Sequence, residues 1–270
     1  MATSLALAIP AYNEADGIAG FLRDIDQCFK DWDGEVSFVV ADDRSTDGTA
    51  EVLERARPTL AAELRVVTME SNAGHGPTVL RAYREAIATG ADLTLQVDGD
   101  GQFDVRDIRR VADDLCHSGA DVAIAKRRDR RDPWFRKLLT RLLRLYLQGR
   151  AGLKVMDPNC PLRAYRSPVL QTLLADLPEA ATVPNVYLAV LADRAGLSTA
   201  ELIVEHLDRR GDSTQGTMWG KRQRKLVIPR RLMIFVWRAL QECRRFLATL
   251  DGAKSDHSAG PSAAGGPHRG

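Results

Sequence analysis

Short apolar runs alternate with stretches of helical spacing through the first half of this chain, and that alternation admits few folds. Leu5–Ile9, Val36–Ala41, Leu64–Thr68, Leu95–Val97 and Asp121–Ala125 read as strands. Between them lie segments with apolar residues three and four apart: Ile18, Phe21, Leu22 and Ile25; Val52 and Leu53; Val79, Leu80, Tyr83 and Ile87; Ile108, Val111 and Leu115. The connections suit right-handed crossovers, so the pattern predicts an α/β fold with a mostly parallel, Rossmann-like sheet flanked by helices. Pro10 is expected to stop the first strand. Four successive strand ends carry polar or glycine-rich clusters, which would together line one rim of the sheet, where open α/β sheets bind ligands.

The most chemically loaded of these ends is Leu95-Gln-Val-Asp98-Gly99-Asp100-Gly-Gln102-Phe103. Asp is depleted in strands, so both acids should sit where the strand gives way to a loop. Asp98, Asp100 and Gln102 form a hard, oxygen-rich set suited to Mg²⁺ or Mn²⁺, with positions left for water or phosphate oxygens. Gly99 lets a ligand approach the backbone. A polar turn after a buried strand is the plainer alternative.

Several function classes drop out on composition. A net charge of +2 gives no global signal for nucleic acid. Cys28, Cys116, Cys160 and Cys243 share no metal-ligand spacing, which suits a reducing compartment. Ser4–Ile9 reads as a strand and not as a signal core, and no apolar run approaches the ~20 residues of a membrane span. The expected location is the cytoplasm, including the inner face of a membrane as a peripheral protein.

Beyond Ala125 the texture changes. A basic run from Lys126 to Arg131 precedes a helix carrying Leu138, Leu142, Leu145 and Tyr146. Asp157–Arg163 reads as a proline-broken loop and Tyr187–Ala195 as helical. Lys221–Arg245 interleaves basic and apolar residues. Past Leu250 the Gly/Ser/Ala/Pro-rich tail lacks the apolar content to order.

Taken in order, Ile9-Pro-Ala-Tyr-Asn-Glu14, Asp42-Asp43-x-Ser45-x-Asp47-Gly48-Thr49, Asn72-x-Gly74-x-Gly76 and Asp98-x-Asp100-x-Gln102 resemble family 2 glycosyltransferases of the GT-A fold. The Asp-x-Asp-x-Gln form and the later arginines are most similar to polyprenyl-phosphate (dolichol-phosphate-type) enzymes. The resemblance covers about Leu5 to Ser213. It implies a GT-A domain over 1–215; beyond it, the interleaved charges give a basic amphipathic helical appendage over 216–250 and the composition a disordered tail over 251–270.

By that resemblance Pro10, Tyr12, Glu14, Asp42 and Asp43 hold the base and ribose of a GDP- or UDP-sugar, a carboxylate accepting from a ring N–H or a ribose hydroxyl. Helix capping is the alternative for the two aspartates. Asp98, Gly99 and Asp100, with Gln102, match the metal and diphosphate site. Arg127, with Arg131 as a second candidate, matches a phosphate-binding arginine, although the family's usual Gly-Ser-Arg is here Ala125-Lys126-Arg127. Arginine suits phosphate through its planar two-pronged fork. Asp157 and Arg163 match an acceptor-side loop, and Arg209 or Arg210 a late arginine that closes over phosphate. Arg128 and Arg130 read as solvated charges. His75 reads as a helix cap, and Tyr83 and Tyr146 as packing residues.

The implied reaction is an inverting transfer from a nucleotide sugar to a polyprenyl phosphate at the cytosolic face of a membrane, with Asp100, Arg127 and Asp157 as catalytic residues. A phosphate acceptor needs no general base. A soluble hydroxyl acceptor, in a glycan or natural product, would need one, and Asp157 is the candidate. A phosphatase with Asp98 as nucleophile and a non-catalytic nucleotide-sugar-binding adaptor are the remaining alternatives. After Pro229, Leu232, Val236, Leu240, Cys243 and Phe246 fall on one helix face among arginines, as in helices that lie on anionic membranes; a helix that packs this face on the domain and leaves its arginines in water is the plainer alternative.

Overall fold

A computed structural model describes residues 2–128, 145–210 and 230–258. The expected contacts of Arg130, Arg131, Leu138 and Leu142 lie outside the described residues, as does Ser213. The described elements are β1 (Leu5–Ala11), α1 (Ile18–Cys28), β2 (Val36–Asp42), α2 (Thr49–Ala56), β3 (Glu63–Thr68), α3 (His75–Ile87), β4 (Leu93–Gln96), α4 (Val105–His117), β5 (Val122–Arg128), α5 (residues 145–151), β6 (Arg163–Arg166), α6 (Ser167–Ala175), α7 (Pro184–Arg194), β7 (Thr199–Glu205) and α8 (Arg230–Ser258). The chain divides into two compact units, Met1–Ile228 and Pro229–Gly270.

The first unit is built on one seven-stranded sheet in the order β3-β2-β1-β4-β6-β5-β7. β1 pairs in parallel with β2 and β4, β2 with β3, and β5 with β7. β6 alone runs antiparallel, between β4 and β5. β1 lies inside the sheet between β2 and β4, and every one of its residues is buried, as expected for a strand covered on both faces. It runs on through Pro10 to Ala11. The carbonyl of Pro10 accepts from Gly99 N at 3.1 Å, so its missing N–H falls on the β4 side. There β4 has already ended at Gln96, and the lost ladder bond costs little.

The helices follow the apolar spacing read from the sequence. α1 buries Ile18, Phe21, Leu22 and Ile25. α4 buries Ile108, Val111 and Leu115, and Asp104 caps it by accepting from Arg106 N at 2.9 Å. α7 starts earlier than expected, at Pro184, because proline is pre-organised for a first helical position.

The second unit is described by α8. This helix reaches Ser258, past the Leu250 boundary expected for the tail. Within it Cys243, Phe246 and Leu247 are buried, whereas Met233, Ile234, Trp237 and Leu240 are exposed. No helix among the described residues is long and apolar enough to cross a membrane.

Candidate active site

The carboxyl ends of β1, β2 and β4 lie side by side, and their loops are tied to one another through backbone N–H groups. Asn13 N donates to Ser45 Oγ at 2.9 Å, Glu14 N to Thr49 Oγ1 at 2.9 Å, and Ala15 N to Asp47 Oδ2 at 3.0 Å. Asn13 returns the contact by accepting from Thr46 N at 2.9 Å. It does so from a left-handed backbone (φ 54°), a conformation asparagine tolerates better than most residues. The polar cluster from Asp42 to Thr49 therefore builds the rim as well as facing it.

Asp42 and Asp43 are both buried, and both spend their carboxylates on loop backbone. Asp42 accepts from the N–H and hydroxyl of Ser45. Burial pushes its carboxyl above the usual range, against those two hydrogen bonds. Asp43 accepts from Ala73 N at 2.7 Å and Gly74 N at 2.9 Å, anchoring the Asn72–Gly76 loop. Each oxygen retains lone-pair capacity for a ligand, and neither aspartate caps a helix, since α2 and α3 start after Gly48 and Gly74 with no side-chain cap.

Asp98 and Asp100 follow β4 as expected. Gly99 N reaches Pro10 O, and a Cβ on Gly99 would come 3.2 Å from that oxygen and 3.3 Å from Ile18 Cδ1. Glycine is what lets the segment hug β1. Burial, and then the carboxylate of Asp98, push Asp100 up to about 6, while Arg209 and the Gln102 N–H pull the other way. Glu14 is raised to about 8, chiefly by burial and also by Asp100 and Asp98, with Arg209 opposing. Arg209 pairs directly with Glu14. His75 Nε2 lies 3.9 Å from Asp98 Oδ1, so this residue, read from sequence as a cap, stands beside the acidic group. Three acids crowding one rim form a field that a cation would relieve.

The two late arginines part company. Arg209 turns in to Glu14, and Arg210 turns out to Asp24 at 2.5 Å, its guanidinium 5.3 Å above the ring centre of Phe21. The loop carrying them is clasped to the acidic loop by Arg210 N to Asp100 O (3.0 Å) and Leu207 N to Gln102 O (2.9 Å). Gln102 Nε2 also donates to Leu207 O at 3.3 Å. Gln102 thus serves this clasp, leaving Oε1 as the only side-chain atom it could offer a metal. His206 packs edge-on against Phe103.

Farther along the sheet, Arg127 on β5 and Asp157 form a two-pronged pair, Nε to Oδ2 at 2.8 Å and Nη2 to Oδ1 at 3.0 Å. Both side chains are only 8% exposed. Arg163 does not reach the rim. It opens β6, is fully buried, and donates to the carbonyls of Pro158, Cys160 and Asn185 and to Tyr165 Oη. The expectation that it serves the site from an acceptor-side loop is corrected by that geometry, since a buried guanidinium surrounded by carbonyls is a structural cross-brace. Tyr12 is 36% exposed, with its ring accessible at the β1 end.

The donor chemistry fits a hard divalent cation. Among the described residues no group of three or more His, Cys, Asp or Glu has metal-holding geometry. Two carboxylates suffice for Mg²⁺ or Mn²⁺ when water and diphosphate oxygens fill the other positions.

The model of glycosyl transferase family 2 matches residues 6–174. The undecaprenyl-phosphate 4-deoxy-4-formamido-L-arabinose transferase of Edwardsiella ictaluri is 29% identical over 215 residues, covering 79% of this chain and 63% of that protein. The protein of the same name from Proteus mirabilis is 28% identical over 211 residues, covering 77% and 62%. The chain therefore spans less than two thirds of the length of these relatives. Among solved structures, glucosyl-3-phosphoglycerate synthase from Mycobacterium tuberculosis, in complex with Mn²⁺, UDP-glucose and phosphoglyceric acid, superposes with a TM-score of 0.64 at 19% identity. That match covers 91% of this chain and 80% of the other. The same enzyme with Mn²⁺ and UDP-glucose gives a TM-score of 0.63 at 20% identity, covering 91% and 79%. The fold is thus the GT-A glycosyltransferase fold. The chain belongs to glycosyl transferase family 2.

Sequence reasoning passed over Gln96 and Asn185 and read Tyr83 as a packing residue, and the structure brings all three to the back of the site. Gln96, Tyr83 and Asn185 form a buried hydrogen-bonded group behind Asp98. The available signal was an amide inside an otherwise apolar strand.

Proposed function

We propose that this protein is a metal-dependent, inverting glycosyltransferase that moves a sugar from a nucleotide sugar to a polyprenyl phosphate. The observation that carries the choice of acceptor is the Arg127–Asp157 pair. Asp157 is the candidate base, and a carboxylate gripped at both oxygens by a guanidinium is a poor proton acceptor. An acceptor phosphate is already an anion, so it needs orientation and charge compensation but no deprotonation.

In this reading Tyr12, with Pro10 behind it, offers an accessible ring to the base, while Asp42 and Asp43 use their remaining lone pairs on ring N–H or ribose hydroxyl groups. Asp98 and Asp100 would hold Mg²⁺ or Mn²⁺, which would supply stabilisation of negative charge on the leaving diphosphate. Arg209, held at the rim by Glu14, adds a second positive group on the phosphate side. Arg127, its plane fixed by Asp157, orients the acceptor phosphate for attack on the anomeric carbon from the face opposite the leaving group. A single displacement of this kind inverts the configuration.

The named relatives support the lipid-phosphate acceptor, and the neighbour complexes with Mn²⁺ and UDP-glucose support the donor and metal classes. The setting that fits is the cytosolic membrane face. The neighbours' phosphoglyceric acid complexes keep a soluble hydroxyl acceptor as the competing reading. To separate them, the protein is incubated with Mn²⁺ and a panel of UDP- and GDP-sugars, and nucleoside diphosphate release is followed with undecaprenyl phosphate or 3-phosphoglyceric acid. Release stimulated by the lipid phosphate is expected. Stimulation by the soluble acid alone overturns the reading.

A further inference from the structure

β4 is a central strand of four residues, all buried, and at such positions an apolar side chain is the cheapest choice. Burying an amide costs about 1–3 kcal/mol unless its groups are matched. Gln96 is nevertheless fully buried, and every contact it makes is specific. Its Oε1 lies 2.8 Å from both Tyr83 Oη and Asn185 Nδ2, and its Nε2 donates to Asp98 Oδ1 at 3.2 Å. Asn185 Nδ2 donates to Oε1, and the one hydroxyl proton of Tyr83 is placed between Oε1 and Asn185 Oδ1, 3.1 Å away, so Oε1 faces the donors and the amide nitrogen faces Asp98. Burial holds the Tyr83 phenol far above its ordinary pKa, keeping it a neutral donor.

The group is braced from two further elements. Asn185 stands in the first turn of α7, and its carbonyl accepts from Arg163 Nη1 at 2.9 Å. Arg163 is the residue paired with Gln96 across the β4–β6 ladder. α3, α7 and β6 thus all converge on one amide whose remaining function is to grip one oxygen of one carboxylate. Asp98 Oδ2 accepts no hydrogen bond among the described residues, which leaves it to a ligand.

The geometry points to Gln96 as a positioning residue that fixes the orientation of Asp98 for the divalent cation, with Tyr83 and Asn185 setting the facing of its amide. This rests on the metal reading above. Partners of this kind, one step behind a ligating carboxylate, typically change metal affinity by about 10–100-fold when removed. A purely structural role is the competing account, and another buried polar contact on the same strand provides the control. Thr94 Oγ1 lies 2.8 Å from Ser167 Oγ, away from Asp98.

The test is a Mn²⁺ titration of the donor-free protein followed by the electron paramagnetic resonance signal of unbound Mn²⁺, for wild type, Gln96→Met, Tyr83→Phe and Thr94→Val. Gln96→Met should raise the Mn²⁺ dissociation constant by about tenfold or more. Tyr83→Phe should raise it by about threefold, the worth of one neutral hydrogen bond. Thr94→Val should lower thermal stability and leave Mn²⁺ binding unchanged. Folded Gln96→Met with wild-type Mn²⁺ affinity, or Thr94→Val losing as much affinity, overturns the inference while the metal reading stands. If Gln96→Met does not fold, Tyr83→Phe decides, and an unchanged dissociation constant there overturns it. A wild-type protein that binds no Mn²⁺ overturns the metal reading and this inference with it.

Discussion

Arg127 grips both carboxylate oxygens of Asp157, at 2.8 and 3.0 Å, with the two side chains all but closed to solvent. A pair so placed acts as one unit, and removing either member strands the other. Asp157→Ala should therefore destabilise the protein by about 3–5 kcal/mol, measured by urea unfolding. Arg127→Lys should cost nearly as much transfer activity as Arg127→Ala, since an ammonium cannot make two parallel bonds. Activity in Arg127→Lys close to wild type would mean that charge alone matters there.

The acidic rim makes a metal prediction. Asp100 stands beside Asp98, whose carboxylate helps to raise its pKa, so Asp100→Asn removes half of the carboxylate pair. Transfer should fall by at least ~100-fold, the scale of a lost charge-stabilising group, and added Mn²⁺ should no longer stimulate it. Full activity in chelator would contradict the prediction as directly as an active variant.

The two late arginines should behave differently. Arg209→Ala removes the partner of Glu14 at the rim and should depress transfer. Arg210→Ala removes a contact with Asp24 and Phe21 and should show mainly in thermal stability. Equal losses of transfer would mean that the loop, and not the Arg209 side chain, is what the site needs.

Much of this was legible because it is local. The strand–helix alternation fixed the parallel sheet, since each buried run carries its own apolar signature, and the rim clusters announced themselves as polar residues at strand ends. What escaped depended on partners far along the chain. Arg163 read as a residue of an acceptor-side loop because arginine is rarely buried, and nothing local reveals that Pro158, Cys160 and Asn185 turn carbonyls towards it. β6, four residues long and bounded by arginines, carries no alternation at all. Gln96 stood in plain sight within β4, but its meaning required Asn185, 89 positions away.

Glu14 gives a pH prediction with a definite sign. Its carboxyl is raised from 4.5 to about 8 in the folded protein. A raised acid binds its proton more tightly in the folded state, so the stability it contributes is complete below pH 4.5 and lost as pH rises through 8. The difference in stability between wild type and Glu14→Gln should shift in the variant's favour across that window, as followed by thermal melts in metal-free buffer. A shift towards wild type would show that the bond from Arg209 outweighs burial.

The exposed residues of α8 give the last prediction. Met233, Ile234, Trp237 and Leu240 recur at helical spacing and are all solvent-accessible, and Arg238, Arg244 and Arg245 on the same helix are basic. The stripe expected from sequence included Cys243 and Phe246, which are buried instead, so the face available to a surface is displaced along the helix. An apolar stripe of this size flanked by arginines matches an anionic lipid interface, where apolar burial and charge attraction add. The protein should co-sediment with anionic liposomes at low salt, less so at high salt, and Ile234→Ser with Trp237→Ser should weaken binding at both. The salt response and the response to the double variant separate the two contributions, because screening reaches the arginines but leaves the buried apolar area untouched. Protein remaining in the supernatant at low salt would remove the membrane setting and shift the balance towards a soluble acceptor.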